Sequence, residues 1–338
     1  MREHLPRGKP GRSAFIVTVP KRTGSKQPAK PKPPVFVFRA HQGKEKAYVD
    51  ALRKAGYKPT LVETGNPRFV LYDLDCFKRR SALERFYKRK VPIFMYPHAA
   101  RPQVVWDGMH ELFPYTRCSF VIAKGHEEVM RRYGYDLPIE VTGWAYCGIK
   151  PFEPVKEIKN ILFAPIHPAT NGLMIDVDRD LNIRTYKRLV PYCKENGIQL
   201  SVRHIKSLKA NGLDPVPGVK YISGDTKLSI ADIDAADLVV AHQTFAYMAV
   251  ARGKPVVMMG EDLPPRTILP NGKPIFVKSW DKYADILAFP LDILAGDVGS
   301  VITQACKRNA KVTEWRDRFI GEPFDPKIFV EKLESYLK

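Results

Sequence analysis

A polar cluster between two apolar runs is the part of this sequence richest in chemistry. The run Leu238–Ala241 ends at three polar side chains, and the small-residue segment that follows is typical of a short helix. Residues 253–255 (Gly-Lys-Pro) end the helical pattern before a second apolar run, 256–259. Backbone N–H groups at a helix N-terminus, joined by hydroxyl and amide side chains, are suited to hold a phosphate. The three residues are His242, Gln243 and Thr244, with Thr244 as the first candidate.

Polar side chains also follow three other apolar runs in the second half of the chain. ILFAP precedes IHPATNG, LSV precedes an Arg-His pair, and PVVMM precedes an acidic residue. Ligands of open parallel α/β sheets bind outside the carboxyl ends of the strands, so we expect these side chains to converge. The histidines have structural hydrogen bonding as their alternative role. The additional binding candidates are His167, Thr170, Asn171, Arg203, His204 and Glu261.

Acidic and thiol side chains do not form a convincing metal site. Asp176, Asp178 and Asp180 make a DVDRD run that has the form of a metal-binding DxD motif. The favoured interpretation is that these acids stabilise the start of a basic helix. The five cysteines are scattered without a CxxC pair, which argues against zinc and favours a reducing cytoplasm. We therefore predict no metal and a cytoplasmic location, the host cytoplasm if the origin is viral.

Alternating strand-like and helix-like segments indicate how these residues are positioned. The alternation over 35–150, with 59–62 as one strand, restarts after a Pro-containing linker and predicts two parallel α/β sheets. A length of 338 residues also favours two domains. We predict a basic strand or flexible segment at 1–34, a first domain at 35–150 and a second at 151–338. A final helix, capped by Asp325 with Pro326 in its first turn, closes the second domain.

Several of these segments resemble one enzyme family. ILFAPIHP, SVRHIKS and AHQTFAYMAVARGKPVV are similar to the strand-plus-APT, K-x-H-P and D-Y-S-S/G-K-P-V segments of CDP-glycerol glycerophosphotransferases. IFMYPHAARP resembles their W-H-G-T segment. Ile205, His242 and Ala99 depart from that pattern. The resemblance covers most of 90–338, extends to UDP-GlcNAc 2-epimerases and places the chain in the GT-B glycosyltransferase superfamily.

The resemblance implies a fold and a mechanism. It implies two Rossmann-like domains facing across a cleft, with the acceptor bound by the first and a nucleotide-sugar by the second. Donor phosphate would contact Thr244 and its basic and polar neighbours, without a metal or cofactor, and a UDP-sugar is the favoured donor. His98 would be the base for the acceptor hydroxyl, with Asp75 as the second candidate. His41 lies in a turn where such folds bind acceptor or donor. A buried structural role is the alternative for His98.

The net charge of +19 favours an anionic binding partner, such as nucleic acid, an anionic membrane surface or an anionic polymer. No apolar run is long enough to span a bilayer, so we expect no stable membrane insertion. We predict duplex DNA as the acceptor, with sugar transfer to a hydroxymethylated base as in bacteriophage DNA glucosyltransferases. The basic segment after the third strand is the proposed contact, with a solvated helix face as its alternative: Arg79, Arg80, Arg85, Lys88, Arg89 and Lys90.

Three other functions remain open. A cell-surface polymer glycosyltransferase or glycerophosphotransferase would use the same charge against an anionic membrane. An enzyme like the UDP-GlcNAc 2-epimerases would not need so much positive charge. A non-catalytic nucleic-acid-binding protein on a GT-B scaffold would bind DNA and turn over no donor.

Overall fold

The computed structural model describes part of the chain. The described residues are 34–38, 45–63, 65–73, 80–97, 114–132, 134–167, 176–205, 207–224, 229–260, 266–268, 274–276 and 284–338. The chain divides between Pro31 and Lys32, and all described residues belong to the second unit. Of the basic strand or flexible segment predicted at 1–34, residues 1–33 lie outside the described residues, and Pro34 is the first described residue.

The first sheet has six parallel strands in the order β2-β1-β3-β4-β5-β6. Its strands are β1 (Pro34–Phe38), β2 (Lys58–Thr60), β3 (Val70–Asp73), β4 (Ile93–Tyr96), β5 (Cys118–Val121) and β6 (Ile139–Val141). Its helices are α1 (Lys46–Lys54), α2 (Arg80–Lys88) and α3 (Lys124–Arg132).

Alternating side chains of β1 fill two cores on opposite faces of this sheet. Phe36 and Phe38 pack with the buried side of α2, whereas Val35 and Val37 pack with the buried side of α1. A strand buried on both faces has a continuous apolar run, as VFVF does. The predicted strand at 59–62 is corrected: β2 ends at Thr60, whose hydroxyl accepts the Val62 N–H at 3.1 Å in a local turn.

The second sheet has five parallel strands in the order β11-β10-β7-β8-β9. The elements are β7 (Asn160–Ala164), α4 (Asp176–Glu195), β8 (Gln199–His204), β9 (Lys220–Ser223), α5 (Ser229–Ala235), β10 (Leu238–Ala241), α6 (Gln243–Ala251) and β11 (Val256–Met258). Helix α6 is short, and its three alanines, Ala246, Ala249 and Ala251, are fully buried. Small side chains let this helix lie close to the sheet.

The remaining elements follow the second sheet along the chain. They are the antiparallel pair β12 (Arg266–Ile268) and β13 (Pro274–Phe276), then α7 (Ala284–Leu287), α8 (Val298–Cys306), α9 (Ala310–Phe319) and α10 (Pro326–Ser335). Helices α8 and α9 were not predicted, although each has a capping residue. Asp297 accepts the Ser300 N–H at 2.8 Å, and Asn309 accepts the Lys311 N–H at 2.9 Å.

The final helix has the predicted start but an unexpected location. Asp325 caps it by accepting the Lys327 N–H at 2.7 Å, and Pro326 occupies its first turn. Phe329 and Leu333 are fully buried against the first sheet, not the second, and the Phe329 ring lies 4.8 Å from that of Phe120. The prediction that this helix closes the second domain is therefore corrected.

The chain reaches the first sheet again through a short parallel contact. The Trp144 N–H donates to the Glu322 carbonyl at 2.7 Å, and the Phe324 N–H donates to the Trp144 carbonyl at 3.0 Å. Gly143 has φ +91, and a Cβ there would lie 2.4 Å from the Pro323 carbonyl oxygen. Only glycine permits this crossing without displacement of the backbone.

The predicted fold class is confirmed, since two parallel α/β sheets with flanking helices make up the described chain. Among the described helices, none combines the length and apolar character that crossing a membrane requires.

Candidate functional site

Strand order identifies one preferred binding position in the second sheet. The order runs outward from β7 through β8 to β9 on one side, and from β7 through β10 to β11 on the other. Strands β7 and β10 are neighbours, with Ala164 paired to Ala241 at their carboxyl ends. Ligands of such sheets bind at this reversal of strand order. The residues that follow the two strands therefore flank the candidate site.

The start of α6 lies at this position and has an unusual backbone. His242 is the N-cap residue, with extended φ −130 and ψ 152, and its side chain is buried. Gln243 has φ +51, in the left-handed region that non-glycine residues rarely adopt. Residues held in such conformations cluster at functional sites, and turns of this kind can gather N–H groups around an anion. The half-buried Thr244 is the next residue.

Arg203 connects three elements beside this turn. It is 5% exposed at the end of β8, and its Nε donates to Asp232 Oδ2 of α5 at 2.7 Å. Its guanidinium lies 5.3 Å from the ring centre of Phe245, in the first turn of α6. The cation thus supports the start of α6 from the neighbouring strand. Its predicted direct role toward a donor stays a prediction.

The two histidines after β7 and β8 differ in environment. His167 is exposed beyond the end of β7. His204 ends β8 and is partly buried, and its Nδ1 has no hydrogen-bond partner within the described chain. Thr170, Asn171 and Glu261, predicted for the same edge, lie outside the described residues.

Two buried asparagines hold the loops after β7 and β8, and sequence reasoning missed both. Asn182 of α4 bonds the backbone of Ile166, and Asn211 bonds the carbonyls of Ile205 and Ser207. An asparagine at a position where a helix pattern calls for an apolar residue was the available signal. Asn182 lies one residue from Leu181 on the buried face of α4.

The candidate base residues His98, Asp75 and His41 lie outside the described residues, as does Arg79. Their flanking strands are described. The Pro97 carbonyl, just after β4 and before His98, accepts a hydrogen bond from the Tyr146 hydroxyl at 2.9 Å. Burial raises the pKa of Tyr146, so its hydroxyl remains a proton donor. This contact holds the backbone at Pro97, just after the end of β4.

The basic helix α2 is exposed, but several of its cations already have partners. Arg80 pairs with Glu84 at 2.9 Å, and Arg85 pairs with Glu63 at 3.0 Å. Arg89 donates to the Gly65 carbonyl and the Asn66 side chain. Lys88 and Lys90 are also exposed on this segment. The two acids reduce the positive charge of the surface without removing it.

The acidic run occupies the start of α4, as the helix interpretation predicted. Asp176 and Asp178 lie in the first turn, and Asp180 pairs with Arg184 at 2.7 Å. Within the described ranges, no three His, Cys, Asp or Glu residues are grouped as metal ligands. The four described cysteines are free, and burial raises the pKa of the Cys193 thiol to about 12 and of Cys306 to about 11.

A linker between the sheets is fastened to the end of α6. The Asp234 carboxylate of α5 accepts hydrogen bonds from Arg252 Nε at 2.9 Å and from an Arg252 terminal nitrogen at 2.6 Å. It also accepts one from Lys150 Nζ at 3.2 Å. The Lys150 N–H donates to the Ala251 carbonyl at 2.8 Å. A Cβ on Gly253 would lie 2.0 Å from the Pro151 carbonyl oxygen, so the linker lies directly on the backbone there.

Comparisons with known proteins give the fold. No family model and no curated protein sequence matches the chain. The solved structure of the kitacinnamycin glycotransferase is similar at TM-score 0.52 and 10% identity, over 91% of this chain and 100% of that one. CalG4, the calicheamicin glycosyltransferase, reaches 0.49 at 11% identity, over 90% and 98%. MurG from Acinetobacter baumannii reaches 0.48 at 12%, over 90% and 100%. At these identities the first similarity shows the fold alone, which is the predicted GT-B fold.

Proposed function

We propose that this chain is a nucleotide-sugar-dependent glycosyltransferase whose donor diphosphate binds at the start of α6. The observation that carries the proposal is the turn from His242 to Thr244, with its left-handed Gln243, at the reversal of strand order beside β7. A helix N-terminus and a hydroxyl stabilise an anionic leaving group without a metal. The similar solved protein is itself described as a glycotransferase. A UDP-sugar is the favoured donor.

The acceptor hydroxyl is proposed to lose its proton to a base from the first sheet. His98 is the first candidate for this base, and Asp75 and His41 are the others. The acceptor oxygen then bonds to the anomeric carbon while the bond from that carbon to the donor phosphate breaks. The nucleoside diphosphate leaves as an anion held at α6. The Tyr146 hydroxyl holds the carbonyl of Pro97, the last described residue before the proposed base.

The acceptor is proposed to be a hydroxymethylated base in duplex DNA. The net charge of +19 and the exposed cations of α2 support a polyanionic partner. An enzyme that acts on a base must take it out of the stack. The second candidate is an enzyme of a surface polymer, whose charge would meet an anionic membrane. A protein that binds nucleic acid without catalysis is the contrasting class.

Donor binding is tested by calorimetry with UDP, CDP, GDP and ADP. Thr244→Ala is expected to weaken binding of the preferred nucleotide about tenfold, because a hydrogen bond to a charged phosphate is lost. Binding is expected to persist in EDTA. The matched control is Thr313→Ala, an exposed threonine of α9 whose hydroxyl bonds only its own helix at the Asn309 carbonyl. Equal affinity of the Thr244 variant and the wild-type chain would remove the phosphate role.

Acceptor choice is tested with a radiolabelled UDP-sugar and either hydroxymethylated duplex DNA or anionic liposomes carrying polymer primers. The double variant Lys88→Glu and Lys90→Glu is expected to weaken DNA binding and flatten its salt dependence while nucleotide affinity is unchanged. Lys307→Glu with Lys311→Glu, exposed in the second half, is the control of equal charge. Liposome binding without transfer to DNA favours the second candidate. DNA binding without turnover of any donor favours the non-catalytic class.

A further inference from the structure

We propose that Asn182 and Asn211 form an amide clasp that positions the loops after β7 and β8 for the donor, which rests on the donor site proposed above. Both side chains are fully buried. The two loops begin at the carboxyl edge of the second sheet; the first carries His167, and the second directly follows His204. The clasp is a positioning device, since neither asparagine reaches the solvent side of the loops.

Asn182 holds the first loop by both backbone groups of one residue. Its Oδ1 accepts the Ile166 N–H at 2.8 Å, and its Nδ2 donates to the Ile166 carbonyl at 2.9 Å. The same Nδ2 donates to the Asn211 carbonyl at 2.9 Å. A residue held at both its N–H and its carbonyl has a fixed peptide orientation. His167 is the next residue, so its Cα position is set by Asn182.

Asn211 holds the second loop through its Nδ2, while its buried Oδ1 has no hydrogen-bond partner within the described chain. Its Nδ2 donates to the Ile205 carbonyl at 2.7 Å and to the Ser207 carbonyl at 2.6 Å. Ile205 directly follows His204 at the end of β8. Because Asn182 also bonds the Asn211 backbone, the two loops are tied to one another through a single network of five side-chain hydrogen bonds.

The backbone groups that Asn182 and Asn211 bond favour a role in positioning the two loops over a role in general stability. Burying an amide costs free energy that an apolar side chain would avoid, so a retained pair calls for a reason. The clasp bonds only loop backbone at the carboxyl edge. A half-buried amide, Asn160, lies at the amino end of β7, where it accepts a hydrogen bond from Ser201 at 2.9 Å and donates to the Ala235 carbonyl at 3.4 Å. Asn160 therefore joins β8 and the end of α5 to the amino end of β7, away from both loops, and provides the control.

The experiment replaces each amide by a carboxyl group of equal size. Asn182→Asp and Asn211→Asp keep acceptor oxygens but lose the N–H donors that the loop carbonyls use. Both are expected to weaken UDP binding about tenfold in calorimetry and to raise the donor KM more than they lower kcat. Asn160→Asp is expected to lower the Tm with UDP affinity unchanged. UDP affinity that falls equally in all three variants, in step with Tm, would overturn the proposal.

Amide hydrogen exchange tests the clasp without a bound nucleotide, so this test does not depend on the proposed donor site. Asn182→Asp is expected to speed amide exchange at 165–167 and 205–207, with 238–251 unchanged; wild-type exchange at both loops overturns the clasp. A wild-type chain that binds no nucleotide defeats the proposed function, and the clasp is then judged by exchange alone.

Asn211→Ala removes two bonds and introduces no charge, so it decides the same question if the Asp variants do not fold. Thr185→Val, at the buried α4 hydroxyl that lacks a described partner, controls for perturbation of that helix and is expected to leave both loops unchanged.

Discussion

Arg203 shows how one side chain can serve a site without being its ligand. Its Nε is used by Asp232, and its flat guanidinium face lies over Phe245. Asp232 belongs to α5 and Phe245 to α6. The same cation therefore sets the distance between β8 and the first turn of α6, and its charge adds to the positive end of that helix.

We expect Arg203→Lys to weaken nucleotide binding about tenfold, because an ammonium group cannot pair with Asp232 and stack on Phe245 together. Calorimetry with the preferred nucleotide measures the change. Arg184→Lys is the control, since that arginine is in an exposed pair with Asp180 on α4. Wild-type affinity of the Arg203 variant, alongside an unaltered Tm, would show that the start of α6 does not depend on this contact.

At the residue level, the sequence revealed what is local and missed what is tertiary. His242, Gln243 and Thr244 were predictable because strand, polar turn and helix follow one another along a short stretch. The positive φ of Gln243 was not, since no glycine marked it. Asn182 and Asn211 are separated by 29 positions, and their bond is made by folding alone. Pattern reasoning therefore found the candidate contacts but not the residues that hold them.

At the level of elements, the connection between the sheets is stabilised by charge. Asp234 is the shared acceptor for Arg252 and Lys150, so α5, the end of α6 and the linker meet at one carboxylate. Hydrogen bonds from Arg252 lower the pKa of Asp234 to about 2. The ionised form is favoured in the folded state, so its contribution is present at neutral pH and disappears as pH falls from about 4 toward 2.

We predict that Asp234→Asn lowers the free energy of unfolding by about 1–2 kcal/mol at pH 7, after allowance for partial solvent screening. The difference from the wild-type chain should shrink as pH falls below about 4, because the wild-type carboxyl group is then protonated. Urea unfolding at several pH values measures both. Asp180→Asn, from the exposed pair with Arg184, should cost less than about 0.5 kcal/mol. A pH-independent difference would contradict the assigned charge interaction.

Element prediction succeeded where hydrophobic periodicity is strong. The strands of both sheets were predicted near their observed positions, because buried parallel strands carry continuous apolar runs. The strand at 59–62 ends early because Leu61 and Val62 are exposed, at 44% and 73%. Helices α8 and α9 escaped notice since only short caps mark them. The location of α10 could not be predicted, because an amphipathic pattern indicates that one helix face is buried but does not identify the sheet that covers it.

At the level of the whole molecule, the fold says little about the acceptor, whereas the net charge is a property of this chain. The GT-B fold is shared with the kitacinnamycin glycotransferase at 10% identity, and such a fold accommodates many acceptors. The net charge of +19 belongs to this chain, and our proposal of an anionic acceptor rests on it. Glu84 of α2 and Glu63, which follows β2, already pair with two arginines of α2. Lys88 and Lys90 therefore carry the sharper test of the DNA proposal.

Because α10 packs on the first sheet, the first sheet cannot complete its core in the order in which the chain is synthesised. Phe329 and Leu333 complete the core around Tyr48 and Leu52, so that core stays open until residues 326–335 have been synthesised. The second sheet can form before the first is finished. We expect residues 32–150 expressed alone to aggregate, and the same fragment joined by a flexible linker to 320–338 to give a cooperative thermal transition. A chain shortened by its last sixteen residues should accordingly expose the first core to proteolysis while leaving the second intact.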